Sequence, residues 1–295
     1  MFKRIALIGL VFILLYAGLI QLQRFQERKS RSAGRQDEQT EQPSHKAYYF
    51  SFTKYSPDGK KEMEIEGDSA NILSKTVGLM NVVAKAYAQE TPVTITADRG
   101  FYDKVQEKVH FTSNVVATTD DGARLLTEAL DIIPEKRLME TEAQAQVKKG
   151  NIHIDGTGAR GDSRLKKVLF KREVRVVIQD KEYGSPTPTV ITSEGPLVID
   201  YENYIARFRD HVVSKDQRGQ LVADRMDVYY DKEARRVSKI VALGNVIIEN
   251  PDGNKTFSDH VIYLADEGRV ILGGDSEALY YSGEKADLLA FEEFG

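Results

Sequence analysis

The sequence predicts an all-β protein of repeated antiparallel strands, folded into a V or a flattened barrel and preceded by one membrane-spanning helix. Three observations carry that expectation. A phrase recurs along the chain, as "FTSNVVATTDDG" at 111–122, "FRDHVVSKDQRG" at 208–219 and "VALGNVIIENPDG" at 241–253. Beyond residue 47, apolar side chains alternate in short runs and seldom fall at helical spacing. Ahead of those runs, residues 5–20 are apolar without a break.

That first stretch, "IALIGLVFILLYAGLI", continues past Gln21 to Leu22 and approaches the ~20 residues that a bilayer helix needs. Ile5, Leu10, Leu14 and Leu19 are among the side chains it would place in lipid, and a buried soluble helix would instead carry a polar stripe. Lys3 and Arg4 ahead of the run suit either a signal peptide or an anchor. Ala17 and Gly18, set between Tyr16 and Leu19, make a poor cleavage site, so residues 1–22 read as an uncleaved anchor. The basic residues after the span, Arg24, Arg28, Lys29, Arg31 and Arg35, outnumber those before it. Counted alone, they would hold the bulk of the chain in the cytoplasm. Residues 23–46 carry almost no aliphatic side chains and read as a polar, disordered linker.

The repeat starts at residue 47. Aligning the phrase on its valine marks Val82, Val115, Val174, Val212 and Val246, spaced by roughly 35 residues, a period typical of stacked supersecondary units. The double interval after Val115 has room for one more unit near Val147. Each unit reads as a valine strand, a turn, a second strand, a second polar turn and a strand leading to the next valine. The first turn is "DDG" at 120–122, "QRG" at 217–219 and "PDG" at 251–253, where glycine accepts positive φ. The second is Asp103-Lys104, Pro134-Glu135-Lys136, Asp231-Lys232-Glu233 and Asp266-Glu267-Gly268. "VTITAD" at 93–98, "NIHIDG" at 151–156 and "LVADRMDVYYD" at 221–231 read as strands. Within them Ile95 and Ala97, or Ile152 and Ile154, project to one side. Two prolines in "YGSPTPTV", 183–190, disfavour a central strand. They suggest a boundary or long loop between a domain at 47–180 and another at 190–283, with 284–295 as a tail.

Composition narrows the chemistry. With 295 residues, 41% of them hydrophobic, the chain can bury a real core. A net charge of -4 gives no overall pull toward nucleic acid, and no nucleic-acid partner is expected. The absence of cysteine rules out disulfides, thiolate metal sites and cysteine nucleophiles. His45, His110, His153, His211 and His260 never pair at ligand spacing, so no metal is expected. Asp98, Glu128, Asp224 and Asp259 recur at similar places in their units, which favours a shared structural task over an acid–base pair. "GTGARG" at 156–161 has the glycines of a phosphate loop, yet no helix follows, and a bulge or turn is the better reading. In Tyr229-Tyr230 and Tyr280-Tyr281, alternation sends one ring to each face. No catalytic residue and no cofactor emerge from this reading, and the chain is not expected to be an enzyme.

Anchor, polar linker, then a series of "NV" strands, "DG" turns and "AD…Y" strands: this order resembles the periplasmic lipopolysaccharide-export proteins. Residues 1 to about 180, with "FTSNVVATTDDGARLLTEALDIIPEKRLMET" and "GNIHIDGTGARGDSRLKKVLF", resemble LptC. Residues 219–274, with "GQLVADRMDVYYDKEARRVSKIVALGNVIIENPDG", resemble LptA and the OstA-like domain, so the chain is longer than a plain LptC. The resemblance implies a twisted, open β-jellyroll held by one inner-membrane span, with its bulk in the periplasm, against the count of flanking charges. It implies lipopolysaccharide as cargo, taken from an inner-membrane ABC transporter and passed outward. It implies edge-strand pairing with an LptA-like bridge or an outer-membrane translocon. For such a groove the side chains expected to line the interior are Val115, Val174, Val212 and Val246, with Ile95, Leu125, Ile154 and Ala223. Two other classes fit the repeats: a non-catalytic envelope scaffold, and a glycan-processing enzyme, which would need acids clustered in a cleft.

Overall fold

The computed structural model describes residues 45–280 apart from 56–57, 88–91, 107, 134–137, 163–166, 180–187, 232 and 234–235. The expected anchor with Ile5, Leu10, Leu14 and Leu19, nearly all of the linker, and the tail at 284–295 lie outside the described residues. Every described element is a β-strand. The chain divides into two compact units, Met1–Lys171 and Arg172–Gly295. The proline-bearing segment at 183–190 falls mostly outside the described residues, and the division comes before it.

The first unit is a meander of antiparallel strands: β1 (His45–Tyr55), β2 (Lys61–Ile72), β3 (Thr76–Ala86), β4 (Val93–Asp103), β5 (Lys108–Thr119), β6 (Arg124–Ile133), β7 (Leu138–Lys149) and β8 (Ile152–Asp162). Each pairs with the next. The division into units falls within β9 (Lys167–Ile178). In the second unit, β9 pairs with β10 (Thr189–Ser193), and both β10 and β11 (Leu197–Asp200) pair with β12 (Ile205–Asp216). The meander then continues through β13 (Gly219–Asp231), β14 (Arg236–Glu249) and β15 (Lys255–Leu264). β16 (Arg269–Gly273) and β17 (Glu277–Leu279) share the last edge, each pairing with a different half of β15. The first turns of the units, at 120–122, 217–219 and 251–253, join strands where expected, and Gly122 and Gly253 have φ of 84° and 86°, which a Cβ would strain; of the second turns, 134–136 and Lys232 lie outside the described residues.

Most long strands change phase in the middle. In β4 the buried residues are Val93, Ile95 and Ala97, then Gly100 and Tyr102. A flat strand with a strict period of two would send those two sets to opposite faces. Register shifts between Thr96 and Arg99, and between Thr112 and Val115 on the paired strand, mark bulges that rotate the chain. Both halves therefore bury the same side, and the sheet bends across its middle. Equivalent shifts occur at Thr141/Gln144, Arg209/Val212, Val222/Arg225 and Leu243/Val246.

The recurrent phrase is this bulge. Asn81, Ser113, Asn114, Glu173, Asp210, His211 and Asn245 all have positive φ, and Asn, Asp and His tolerate that region better than most side chains. The valine that follows turns inward: Val82, Val115, Val174, Val212 and Val246 are fully buried. One expectation needs correcting. In the unit assigned near Val147 the buried position after the bulge is Ala145, while Val147 lies two residues on and is half-buried. Ile152, which opens β8, is 37% exposed, whereas Ile154, two residues on, is buried.

Candidate functional site

The bulges line up across the strands as a floor of small and branched side chains. In the first unit Val82 faces Ala97, Val115 faces Thr127, Thr127 faces Ala145 and Ala145 faces Gly156. In the second, Val174 faces Ser193, Val212 faces Ala223 and Val246 faces Ser258. Small partners are needed because the bend brings neighbouring side chains close. A Cβ on Gly156 would sit 2.9 Å from the Phe170 ring, below the approach that carbon atoms tolerate. Five of the expected lining residues, Val115, Val174, Val212, Ala223 and Val246, belong to this floor, and the structure encloses all five.

The other three share a second line. Phe52, Ile65, Ala84, Ile95, Ala117, Leu125, Val147 and Ile154 are partners in succession from β1 to β8. They stand on the same face as the floor and nearer the strand ends. Ile95 and Ile154 are buried, while Phe52, Ile65, Ala84, Ala117, Leu125 and Val147 keep part of their surface open. The second unit has counterparts on both sides of its floor. Ile199, Ala206, Val228, Ile240, Tyr263 and Val270 are successive partners, and so are Ser214, Leu221, Ile248 and Thr256. All of these are half-buried except Val270, which is 51% exposed. The result is an apolar face, sealed along its centre and partly open toward the strand ends.

Polar side chains near the bulges have structural partners. The Asn114 amide donates to Asp98 at 2.7 Å, Asn245 to Asp224 at 2.9 Å and Asn81 to Asp68 at 2.5 Å. Asp259 accepts the Asp275 N–H at 3.3 Å. Of the four recurring acids, Asp98, Asp224 and Asp259 thus hold bulges, and Glu128 is exposed on β6. The strand aspartate and the bulge asparagine recur together in the sequence, a pairing that composition hides but alignment on the valine would reveal. His110 contacts Asp131 at 2.5 Å and His153 contacts Asp155 at 3.2 Å. Among the described residues, no cluster of three His, Asp or Glu is arranged to hold a metal ion. "GTGARG" lies within β8, where Gly158 has φ of 68° at the bulge.

Titration is perturbed away from the apolar face. The Tyr87 hydroxyl and Lys61 hold the Glu64 carboxyl below its ordinary range, and Lys149 with Thr119 does the same for Asp121. Burial lowers the Lys104 ammonium, which donates to the carbonyls of Leu73 and Ser74. A shallow depression in the second unit is lined by Arg172, Glu173, Arg175, Thr192, Ser193, Glu194 and His211 together with Val174 and Val213. It lies apart from the half-buried lines described above. The outermost strands are bare: Tyr48 and Tyr49 on β1, and Val270, Ile271 and Leu272 on β16, are exposed.

Residues 6–179 match the family model described as "Lipopolysaccharide-assembly, LptC-related". No curated protein matches the chain.

Proposed function

Because the chain belongs to the LptC-related lipopolysaccharide-assembly family, we propose that it is a membrane-anchored carrier that shields the acyl chains of lipopolysaccharide on its apolar face. The family's part in lipopolysaccharide transport is the premise, and the carrying step is our reading. Its main support is the unbroken apolar line from Phe52 to Ile154, left partly open on the side facing the interior. An acyl chain in water costs about 0.8 kcal/mol per CH₂, or ~10 kcal/mol for a dozen carbons. Only a continuous apolar surface offsets an energy of that size. The floor residues Val115, Val174, Val212, Ala223 and Val246 bend and seal the sheet in this reading. Leu125, Ala117, Val147, Leu221 and Ile248 meet the lipid.

The family match begins inside the apolar run at residues 5–20, which favours one inner-membrane span with the strands in the periplasm. Cargo would come from the inner-membrane ABC transporter. The β16 strand, with Val270, Ile271 and Leu272 exposed, suits edge pairing with an LptA-like bridge or an outer-membrane translocon. The match ends at residue 179, so the LptA-like reading of residues 219–274 rests on their motifs and strand order. No catalytic residue is assigned.

Photo-crosslinkers at Leu125, Ile248 and Leu126, in the full chain within membranes exporting lipopolysaccharide, test the carrier. Leu126 neighbours Leu125 but points to the opposite face. Lipid adducts at Leu125 and Ile248, and none at Leu126, are expected. Equal capture at all three positions, or capture at none, would leave the scaffold reading in place.

A further inference from the structure

A row of basic side chains stands back to back with the apolar line. Leu125, Val147 and Ile154 are successive partners on one face of β6, β7 and β8. Their chain neighbours Arg124, Lys148 and His153 are successive partners on the other, with Thr118 opposite Arg124. Like charges directly opposite one another destabilise a sheet, and opposite Cβ atoms lie only about 5 Å apart. The Arg124–Lys148 pair is therefore a cost to folding unless something negative spans it.

Nearby carboxylates do not fill that need. Asp121 is engaged by Lys149 at 2.5 Å and by Thr119, and Asp155 faces His153 at 3.2 Å. Asp120 is exposed on the turn beyond Thr119. Arg124 and Lys148 are exposed and stand outside every ion pair among the described residues. Position adds meaning to charge. Arg124 opens β6, Lys148 is one residue from the end of β7 and His153 one from the start of β8. The row thus lies at the strand ends, far from the sealed floor and one residue beyond the open apolar line.

We propose that Arg124 and Lys148, extended by His153 and the Thr118 hydroxyl, bind the phosphate groups of the lipid headgroup whose acyl chains lie against Leu125, Val147 and Ile154. This rests on the carrier reading and adds a polar end to it. A phosphorylated amphiphile matches a surface that is apolar on one side of a rim and cationic on the other. A guanidinium and an ammonium on directly opposite residues can bracket a phosphate with charge-assisted hydrogen bonds.

The test uses the full chain in detergent with three probes: diphosphoryl lipid A, an acyl-matched dephosphorylated glycolipid, and inorganic pyrophosphate. The unaltered protein is expected to prefer the phosphorylated lipid by about tenfold, as two solvent-exposed ion pairs would give, and to lose the preference as salt rises. Arg124→Gln with Lys148→Gln should abolish the preference while binding of the dephosphorylated lipid stays the same. Lys148→Glu should also abolish it, and should raise the midpoint of thermal unfolding, because an opposite-charge pair replaces a repulsive one. If the unaltered protein binds both lipids equally, the basic row has no such role and the carrier still stands. If it binds neither, both readings fall. Binding of pyrophosphate without any preference between the lipids would assign the row to a soluble anion and overturn the proposal.

Discussion

The two units use the same bulge, but the later strands of the second fill their interior less fully than the first unit does. In the first, Val77, Leu79, Tyr102, Val109, Phe111 and Leu130 join Val82 and Val115 in one buried cluster. β4 buries five of its eleven residues. In the second, Ala223, Ala242, Val246 and Val261 form a smaller cluster with Leu221 and Ile248 only partly covered, and β14 buries two of its fourteen residues. The bend alone therefore does not decide whether a face is closed. Side-chain volume beyond the bend does. Tyr102 and Phe111 fill space in the first unit, and Leu197, Phe208 and Met226 do the same early in the second, whereas at its last strands Val270, Ile271 and Leu272 on β16 remain exposed. On the carrier reading, the last strands of the second unit present cargo with the more open apolar face.

Cavity formation should break or confirm that contrast most strongly. Phe111→Ala is expected to cost about 3–5 kcal/mol in chemical denaturation, because a buried ring leaves a void. Ile248→Ala, removing a half-buried side chain, should cost less than ~1.5 kcal/mol. Similar losses at both sites would mean that the two interiors are packed alike.

The bulge clamps should give a smaller and more even effect. Asn114→Ala and Asn245→Ala each remove one hydrogen bond to an aspartate and place a residue with a Cβ, but without the asparagine's tolerance, at positive φ. A loss of about 1–2 kcal/mol is expected for each. A much larger loss at Asn114 would show that the first unit depends on its bulge more than the later strands of the second do.

Acid should have the weakest effect. Glu64 and Asp121, both in the first unit, have carboxyl groups held below their unfolded values, Glu64 chiefly by the Tyr87 hydroxyl and Asp121 chiefly by Lys149. Their stabilisation is present above the unfolded carboxylate range near pH ~4 and is lost as pH falls through the lower folded values. Thermal unfolding followed from neutral pH to about pH 3 should show a shallow decline. Asp121→Asn should flatten it, and an unchanged slope would remove Lys149–Asp121 from the account.

Much of this architecture could be read before any coordinates. The glycines of "DDG" and "PDG" located hairpin turns because only a residue lacking Cβ accepts their φ at no cost. The repeated valines marked the stacked units because their surroundings recur with them. The same valines misled in one respect, since alternation says which side chains share a face but not how far each stands from a bend. Val115 and Val246 lie on the sealed floor, whereas Leu125, two positions from the bulge-facing Thr127, keeps part of its surface open. Ala145, which takes a valine's place in its unit, has no sequence signature that separates it from its neighbours.

By itself, then, the order of residues determined the strands, the turns, the spacing of the bulges and the resemblance to lipopolysaccharide-export proteins, because these depend on backbone preferences and local periodicity. Only the tertiary structure decided which apolar side chains close on one another and which stay open. It alone set Arg124, Lys148 and His153 side by side from three different strands. Register across a sheet joins residues far apart in the chain, and no local pattern encodes where those partners meet.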